Sequence, residues 1–377
     1  MSCVTCSNEL ENNASEGIPN IEISHNLIPV FDETQEGQVT LVKINKEVAQ
    51  KIGYAIFNIF SLDSKRLLVF DQDRVLISCV DLNGNLLWQL EPPSPDLKQY
   101  TSVTCIAVDS YGERIFVLDF GTRKIDVFTY DGNYVESFPW VPNIDMAVLR
   151  SGQLIHDVSA IDPYLYSEGE QVYRFLSIED DEEVVAHIPI DYDFIEYVSI
   201  GYNNRFNWVG GQLQHRRPLE DTLYSVDDAI EITPELTITF NPGPQFADFL
   251  DNPEYTYPSR HFRENSIPRA HLMIKDGDKS FVTYFKGTED ERYFAYFKGK
   301  EPVLGPSHYY AINNVVVGPA ERYSEGAFYH TMFKYKYDFL QQAYEENMSL
   351  EQIKSSLDSL DEVYQDNDDL FIIKAKF

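Results

Sequence analysis

Short apolar runs, each bounded by polar turn residues, recur along the chain at a regular spacing. Residues 66–71 (RLLVFD) and 114–119 (RIFVLD) are apolar runs that end in Asp, and a turn containing Gly-Asn follows each of them. Four pairs of matching positions lie 48 residues apart: Arg66 and Arg114, Asp71 and Asp119, Gly84 and Gly132, Asn85 and Asn133. Each unit contains the pattern of four strands, which predicts the repeated blade of a β-propeller.

Later apolar runs continue this pattern with less internal similarity. They are residues 172–178 with 184–190, 221–226 with 236–240, 281–285 with 293–297, and a sixth unit that begins at residues 311–316. The last run, residues 370–376 (LFIIKAK), is predicted to pair with residues 39–44 (VTLVKI) and so to close the ring without an open sheet edge. We predict an all-β fold, a single six-bladed β-propeller over residues 26–377.

One helical pattern interrupts the strands near the C-terminus. Leu350, Ile353 and Leu357 recur at helical spacing, and Ser349 followed by Gln352 has the pattern of a capping box. We therefore expect a short helical insertion over about residues 335–361, before the closing strand.

The segment 81–85 (DLNGN) has two interpretations. Its oxygen spacing is that of the start of a calcium loop, but Pro92 stands where an EF-hand needs its bidentate Glu. The repeat favours a hairpin turn instead, in which Asn and Gly supply positive φ. On the same reasoning, Asp71 and Asp119 are expected to cap loop amides rather than to form a catalytic pair.

The charge balance narrows the classes of partner. The chain has 61 acidic and 30 basic residues, a formal charge of −31, which argues against a nucleic-acid partner. Apolar residues make up 43% of the chain, which is too many for the chain to be a disordered acidic segment. Solvated carboxylates in loops and tails are expected to keep the protein soluble and monomeric.

The cysteines separate into two groups. Cys79 and Cys105 lie in apolar runs, whereas Cys3 and Cys6 precede the polar segment 8–20. We expect residues 1–25 to be a flexible tether, and Cys3 or Cys6 to be the position of a lipid anchor, although no signal-peptide pattern precedes them. Membrane association is expected only through such a lipid.

The repeated motifs resemble those of a known family. Residues 70–71 (FD), 81–85 (DLNGN), 118–119 (LD), 130–133 (YDGN) and 221–224 (DTLY), with a strand that closes the chain, are similar to the NHL-like six-bladed β-propeller lipoproteins of bacterial surfaces. The resemblance implies a propeller at the cell envelope, on the outer-membrane or periplasmic surface, and implies no reaction. Residues 84–88 (GNLLW) are also similar to quinoprotein repeats, but Glu136 replaces the Trp one period later, so no quinone cofactor is expected.

One basic and aromatic segment stands out against the acidic background. It is residues 203–217, and its candidate binding residues are Arg205, Trp208, His215, Arg216 and Arg217. Arginine suits bidentate capture of carboxylate or phosphate, and Trp suits stacking on a sugar or a peptide side chain. The competing interpretation is structural, with the arginines paired to nearby acids such as Glu220 and with Trp208 packed between blades.

The sequence contains no nucleophile or phosphate-binding motif. The leading hypothesis is therefore a non-enzymatic binding protein, which holds an unidentified protein, peptide or glycan on one face of the ring and needs no cofactor. The alternative is a hydrolase or lyase with a divalent metal at the central channel, where His156 and His215 could converge with other histidines. An ordinary structural role is the competing interpretation for each of these histidines.

Overall fold

The strands follow the sequence pattern along most of the chain. The computed structural model describes residues 18–24, 37–53, 56–71, 73–91, 100, 102–139, 145–157, 172–177, 184–189, 206–216, 222–241, 268–286, 292–307, 310–312, 315–317, 320, 322–324, 326–333 and 370–376. The elements are β1 (Asn20–Ser24), β2 (Gln38–Ile44), α1 (Lys46–Ile52), β3 (Ile56–Ser61), β4 (Arg66–Asp71), β5 (Leu76–Asp81), β6 (Leu86–Gln89), β7 (Val103–Asp109), β8 (Arg114–Asp119), β9 (Lys124–Thr129), β10 (Tyr134–Pro139), β11 (Asp145–Val148), β12 (Leu154–Asp157), β13 (Val172–Ser177), β14 (Val184–Pro189), β15 (Phe206–Val209), β16 (Gln212–Arg216), β17 (Thr222–Val226), β18 (Ile232–Asn241), β19 (Pro268–Asp276), β20 (Lys279–Lys286), β21 (Arg292–Lys298), β22 (Glu301–Ser307), β23 (Tyr310–Ile312), β24 (Val315–Val317), β25 (Arg322–Ser324), β26 (Ala327–Phe333) and β27 (Leu370–Lys376).

These strands form six sheets of four or five strands, which are the blades. Blades 1 to 3 consist of β3–β6, β7–β10 and β11–β14; blade 4 is β15–β18 with β1; blade 5 is β19–β22; and blade 6 is β25, β26, β27 and β2. The first strand of each blade is its inner strand, and inner strands of neighbouring blades contact each other: β7 with β11, β11 with β15, β15 with β19, and β25 with β3. The predicted six-bladed β-propeller is confirmed.

The ring is closed by the two ends of the chain, as the sequence predicts. β2 pairs antiparallel with β27 over seven positions, from Gln38 with Lys376 to Ile44 with Leu370. β2 thus completes a blade whose other three strands come from the C-terminal part of the chain. The predicted helical insertion at 335–361 lies outside the described residues, and no helix among those described is long and apolar enough to cross a membrane.

The start of the sixth blade differs from the prediction. Residues 311–316 belong to a separate two-stranded sheet of β23 and β24, and blade 6 begins at Arg322. The prediction was wrong because a β-branched run such as 315–317 (VVV) shows only that a strand forms. Which sheet that strand joins depends on contacts with distant parts of the chain.

An additional strand lies within the segment that the sequence predicts as a tether. β1 pairs parallel with β18, the fourth strand of blade 4. Ile21 and Ile23 are each 1% exposed and pack with residues of β18 and β19, such as Phe240 and Met273. The pattern of alternating Ile in NIEIS is typical of a half-buried strand, and here it covers the junction between blades 4 and 5.

The 48-residue repeat correctly predicts the glycine turns of blades 1 and 2 and the aspartates that cap their loops. Gly84 and Gly132 both have φ of 78°, at equivalent turns of blades 1 and 2. Asp81 Oδ1 accepts hydrogen bonds from the main-chain N–H groups of residues 83 and 85, which is the geometry of a turn rather than of an ion site. Asp71 and Asp119 also accept main-chain N–H groups of the loops that follow them, at 2.8 and 3.1 Å.

The core is divided among the junctions between blades. One cluster joins blades 6 and 1 around Ile44, Val69 and Ile372, another joins blades 1 and 2 around Leu68 and Val117. Further clusters join blades 2 and 3, 3 and 4, and 4 and 5. Because each sheet packs face to face with its neighbours, the inner strands are held at the centre of the ring, and their ends define the two candidate sites below.

Candidate functional site

Hairpins of three consecutive blades bring two aromatic rings and a guanidinium together. Tyr111 lies in the β7–β8 turn, Arg150 in the β11–β12 turn, and Trp208 in β15 next to the β15–β16 turn. The Arg150 Cζ atom lies 5.9 Å from the ring centroid of Tyr111 and 5.8 Å from that of Trp208. The two rings are edge to face, with centroids 6.4 Å apart. We call these three residues the hairpin patch.

The β15–β16 turn explains why Arg150 approaches Trp208. Val209 pairs with Gln212, so the turn consists of Gly210 and Gly211 alone, and their φ values are 56° and 81°. A two-residue turn with positive φ at both positions is a type I′ turn, which suits glycine. Arg150 Nη2 donates to the carbonyl oxygen of Gly211, and a Cβ atom on Gly211 would overlap that guanidinium. Glycine is needed here both for the turn and for the close contact.

The hairpin patch is open to solvent. Tyr111 is 59% exposed, Arg150 and Gly211 are exposed, and Trp208 is half-buried against the core of blades 3 and 4. The main-chain N–H of Arg150 donates to Asp228 Oδ1 at 3.1 Å. In the described part of the chain, however, no carboxylate pairs with the Arg150 guanidinium, whose contacts are the two rings and one carbonyl oxygen. Most of its five N–H donors can therefore meet a ligand.

A second group of polar residues lies at the other end of the same inner strands. Asp145 is the first residue of β11, and its Oδ1 accepts from Cys105 Sγ at 3.1 Å, while its Oδ2 accepts from the main-chain N–H of Phe206 at 3.2 Å. Arg322, the first residue of β25, donates from Nη2 to the carbonyl oxygen of Phe206 at 3.5 Å. All four residues are buried. We call Cys105, Asp145, Phe206 and Arg322 the channel cluster.

The electrostatics of the channel cluster follow from its burial. Burial raises the pKa of the Cys105 thiol well above its usual value, and the charge of Asp145 raises it further. Burial lowers the pKa of Arg322, while the charge of Asp145 opposes that shift. The Arg322 Cζ atom also lies 4.4 Å from the ring centroid of Phe60 in β3. The buried charge of Arg322, in blade 6, is therefore compensated by contacts with residues of blades 1 to 4.

A buried histidine and carboxylate extend this cluster. Asp157 is the register partner of Asp145, and His215 is the register partner of Phe206. His215 Nε2 lies 3.0 Å from Asp157 Oδ2, and both side chains are 0% exposed. The neighbouring His156 is also fully buried, and burial lowers its pKa to about 3, so it is neutral at physiological pH.

The sequence comparison decides the family. Residues 54–309 match the DUF5128 family, which is described as a 6-bladed beta-propeller. The chain belongs to the DUF5128 family. A comparison with curated proteins finds no match.

Solved structures agree with the fold of this DUF5128 chain. A Bacteroides fragilis protein described as exported is 14% identical, with a TM-score of 0.67 over 96% of this chain and 99% of that one. A member of the DUF4221 family from Bacteroides vulgatus is 11% identical, with a TM-score of 0.48 over 75% and 91%. The Staphylococcus aureus virginiamycin B lyase is 15% identical, with a TM-score of 0.37 over 69% and 82%. The first shows the shared fold, and the other two are too distant to carry an argument.

The predicted binding residues of this DUF5128 propeller do not form one surface. Trp208 belongs to the hairpin patch, whereas His156 and His215 are 0% exposed and Arg216 is 8% exposed. Their positions follow from the hairpin, because β16 runs from the exposed turn into the interior. The remaining candidates, Arg205, Arg217, Cys3 and Cys6, lie outside the described residues.

Two residues of the hairpin patch were missed by the sequence reasoning. Tyr111 and Arg150 are far from the basic segment in sequence, in turns of blades 2 and 3. A signal for Tyr111 was present, because it stands one period of 48 residues after Asp63, which places it in a turn on the surface. Nothing comparable marks Arg150, whose place depends on the packing of blade 3 against blade 4.

The described side chains contain no group of three or more His, Cys, Asp or Glu that could hold a metal ion. Other histidines that the metal hypothesis could use, such as His261 and His308, lie outside the described residues. The metal-dependent enzyme therefore stays a prediction.

Proposed function

We propose that this DUF5128 propeller is a non-enzymatic binding protein of the bacterial envelope that holds a peptide or a glycan at the hairpin patch. The observation that carries the proposal is the exposed contact of two aromatic rings with a guanidinium. Single exposed apolar residues need no explanation, but Tyr, Trp and Arg together are the residues that dominate binding sites.

The construction of the patch supports the same function. A two-glycine turn holds Trp208 and the carbonyl group that binds Arg150, so these groups are ordered before a ligand arrives. Ordering in advance lowers the entropy cost of binding. A site on hairpins that project from a rigid ring has the arrangement that binding loops commonly have.

Binding is tested with peptide and glycan arrays, probed by the wild-type protein and by Tyr111→Ala. Tyr111 is exposed, so its truncation is expected to leave the fold intact and to weaken binding of the captured ligand at least about tenfold. The matched control is Tyr134→Ala, which removes another exposed tyrosine (48%, against 59% for Tyr111) from the outer strand of blade 2. Capture that is the same for wild type and Tyr111→Ala would exclude the hairpin patch, and no capture on either array would exclude the function.

The envelope location rests on separate support. The Bacteroides fragilis protein of the same fold is described as exported, and Cys3 and Cys6 remain the candidates for a lipid anchor. Expression from the complete gene with radiolabelled palmitate is expected to label the wild type and to lose the label in Cys3→Ser or Cys6→Ser. Unlabelled wild-type protein would contradict the anchor and leave the binding function untouched.

A further inference from the structure

Resting on the proposed function, we infer that the hairpin patch recognises a short saccharide that carries a carboxylate, such as a uronic acid. Arg150 binds the carboxylate, and one of the rings of Tyr111 and Trp208 stacks on an apolar face of the sugar while the other, inclined by 68°, contacts its edge. Two features of the patch and the net charge of the chain favour this chemical class of ligand.

The first feature is the state of the Arg150 guanidinium. The protein has 61 acidic residues, yet in the described part of the chain the contacts of this guanidinium are two aromatic rings and the carbonyl oxygen of Gly211. The carboxylate of Asp228 accepts a hydrogen bond from the main-chain N–H of Arg150, not from its guanidinium. The planar guanidinium of an exposed arginine matches the two oxygens of a carboxylate.

The second feature favours a saccharide over a peptide. Tyr111, Arg150 and Trp208 come from three separate hairpins, so the patch presents no continuous strand edge with which an extended peptide could pair. The rings are inclined by 68° to each other, and they form a corner rather than a flat groove. A pyranose ring, with apolar C–H faces and polar edges, fits against such a corner with its carboxylate toward Arg150.

The third feature limits the size of the ligand. The net charge of −31 repels a long polyanion. Salt screens this repulsion over about 8 Å at physiological ionic strength, so a short acidic oligosaccharide held at Arg150 is not excluded by the rest of the surface. Trigalacturonate is therefore a suitable probe, and the same trisaccharide with its carboxyl groups reduced is its neutral match.

The test compares both probes by titration calorimetry on the full chain. Wild type is expected to bind trigalacturonate at least about tenfold more tightly than the reduced trisaccharide. Arg150→Gln is expected to remove that preference, because the amide has no charge and cannot form the bidentate contact.

The control is Arg74→Gln. Arg74 is an exposed arginine whose main-chain N–H donates to Asp71 and whose Nη1 donates to the main-chain carbonyl of Gln50, so it makes the same kinds of hydrogen bond as Arg150. It lies in the β4–β5 loop, at the other end of β4 from the β3–β4 hairpin. Unchanged binding in Arg74→Gln, together with the loss in Arg150→Gln, assigns the carboxylate to Arg150.

The possible failures separate the two proposals. Equal affinity for the two probes, no affinity for either, or an Arg150→Gln variant that keeps the preference would overturn the saccharide inference. Capture of an acidic peptide instead, lost in both Arg150→Gln and Tyr111→Ala, would overturn the saccharide inference and leave the proposed binding function standing. If neither glycans nor peptides are captured by wild type, both fail.

Discussion

The two equivalent turns of blades 1 and 2 allow ring closure to be tested with a matched pair of variants. Gly84 and Gly132 have the same φ of 78°, so an alanine pays the same backbone cost of about 1–2 kcal/mol at either position. What the new Cβ atom would meet is different. At Gly84 it would overlap the carbonyl oxygen of Lys43 in β2, whereas at Gly132 it would lie 2.9 Å from the Trp88 side chain.

The difference between these neighbours determines how much more stability Gly84→Ala loses than Gly132→Ala. Trp88 can tilt, at about 0.5–1.5 kcal/mol for an off-rotamer side chain. The end of β2 is backbone, and moving it away breaks the Asn45 N–H to Gly84 carbonyl bond (3.3 Å) and the Asn45 Nδ2 to Asn85 Oδ1 bond (2.9 Å). Each of these contributes about 0.5–1.5 kcal/mol, and the displaced strand also loses packing at Ile44. We expect Gly84→Ala to cost about 2 kcal/mol more than Gly132→Ala.

The assay is urea unfolding of both variants, with hydrogen exchange as a local readout. Gly84→Ala is expected to raise exchange in residues 38–44, because β2 is the strand that closes the ring, and Gly132→Ala is expected to leave that segment unchanged. Equal losses of stability in the two variants, or a larger loss in Gly132→Ala, would refute the role of Gly84 in seating the closing strand.

Three further predictions concern buried groups. The pKa of His156 is lowered to about 3, so below pH 6.5 this histidine binds a proton in the unfolded chain but not in the folded protein, and stability falls by up to about 1.4 kcal/mol per pH unit from 6.5 to about 3. Between pH 7 and pH 5, the free energy of unfolding should therefore fall less in His156→Leu than in the wild type. An identical fall in both proteins would contradict this. Asp157→Leu is expected to cost about 2–5 kcal/mol in the same assay, because it leaves His215 buried without the contact at 3.0 Å, and a cost below 1 kcal/mol would count against the pair. Ile23→Ala should cost about 2–5 kcal/mol, because Ile23 is 1% exposed at the junction of blades 4 and 5, whereas exposed Glu22→Ala on the same strand should change stability by less than about 0.5 kcal/mol.

The fold could be predicted from the sequence where a repeat or a general rule of the architecture applies. The period of 48 residues predicted blades 1 and 2 and their glycine turns, and the requirement that a propeller leave no open sheet edge predicted the pairing of β2 with β27. β1 was missed, although NIEIS alternates, because it adds a fifth strand to blade 4 and the four-strand repeat does not require one. The separate sheet of β23 and β24 was taken for the start of a blade because a strand pattern does not identify the strand with which it pairs.

The candidate sites were harder to predict, because each gathers residues from several blades. The segment 203–217 drew attention to Trp208, but a hairpin sends its residues in two directions, and His215 and Arg216 point into the interior. Tyr111 and Arg150 reach Trp208 only through the packing of blades 2, 3 and 4. Basic character along the chain therefore predicted one member of the patch and not its partners.

The contrast between Arg322 and Arg150 separates what the fold requires from what a ligand requires. Arg322 is 8% exposed, its pKa is lowered by burial, and the charge of Asp145 opposes that shift. A charge removed from water in this way must be compensated or the protein loses stability, and the charge of Asp145 meets that requirement inside the ring. Arg150 is exposed, and its guanidinium can be hydrated at no cost to the fold. Its ordered contact with two rings at the tips of three hairpins therefore has no equivalent explanation in stability, and this is why the hairpin patch, rather than the more highly charged channel cluster, is the better candidate for function.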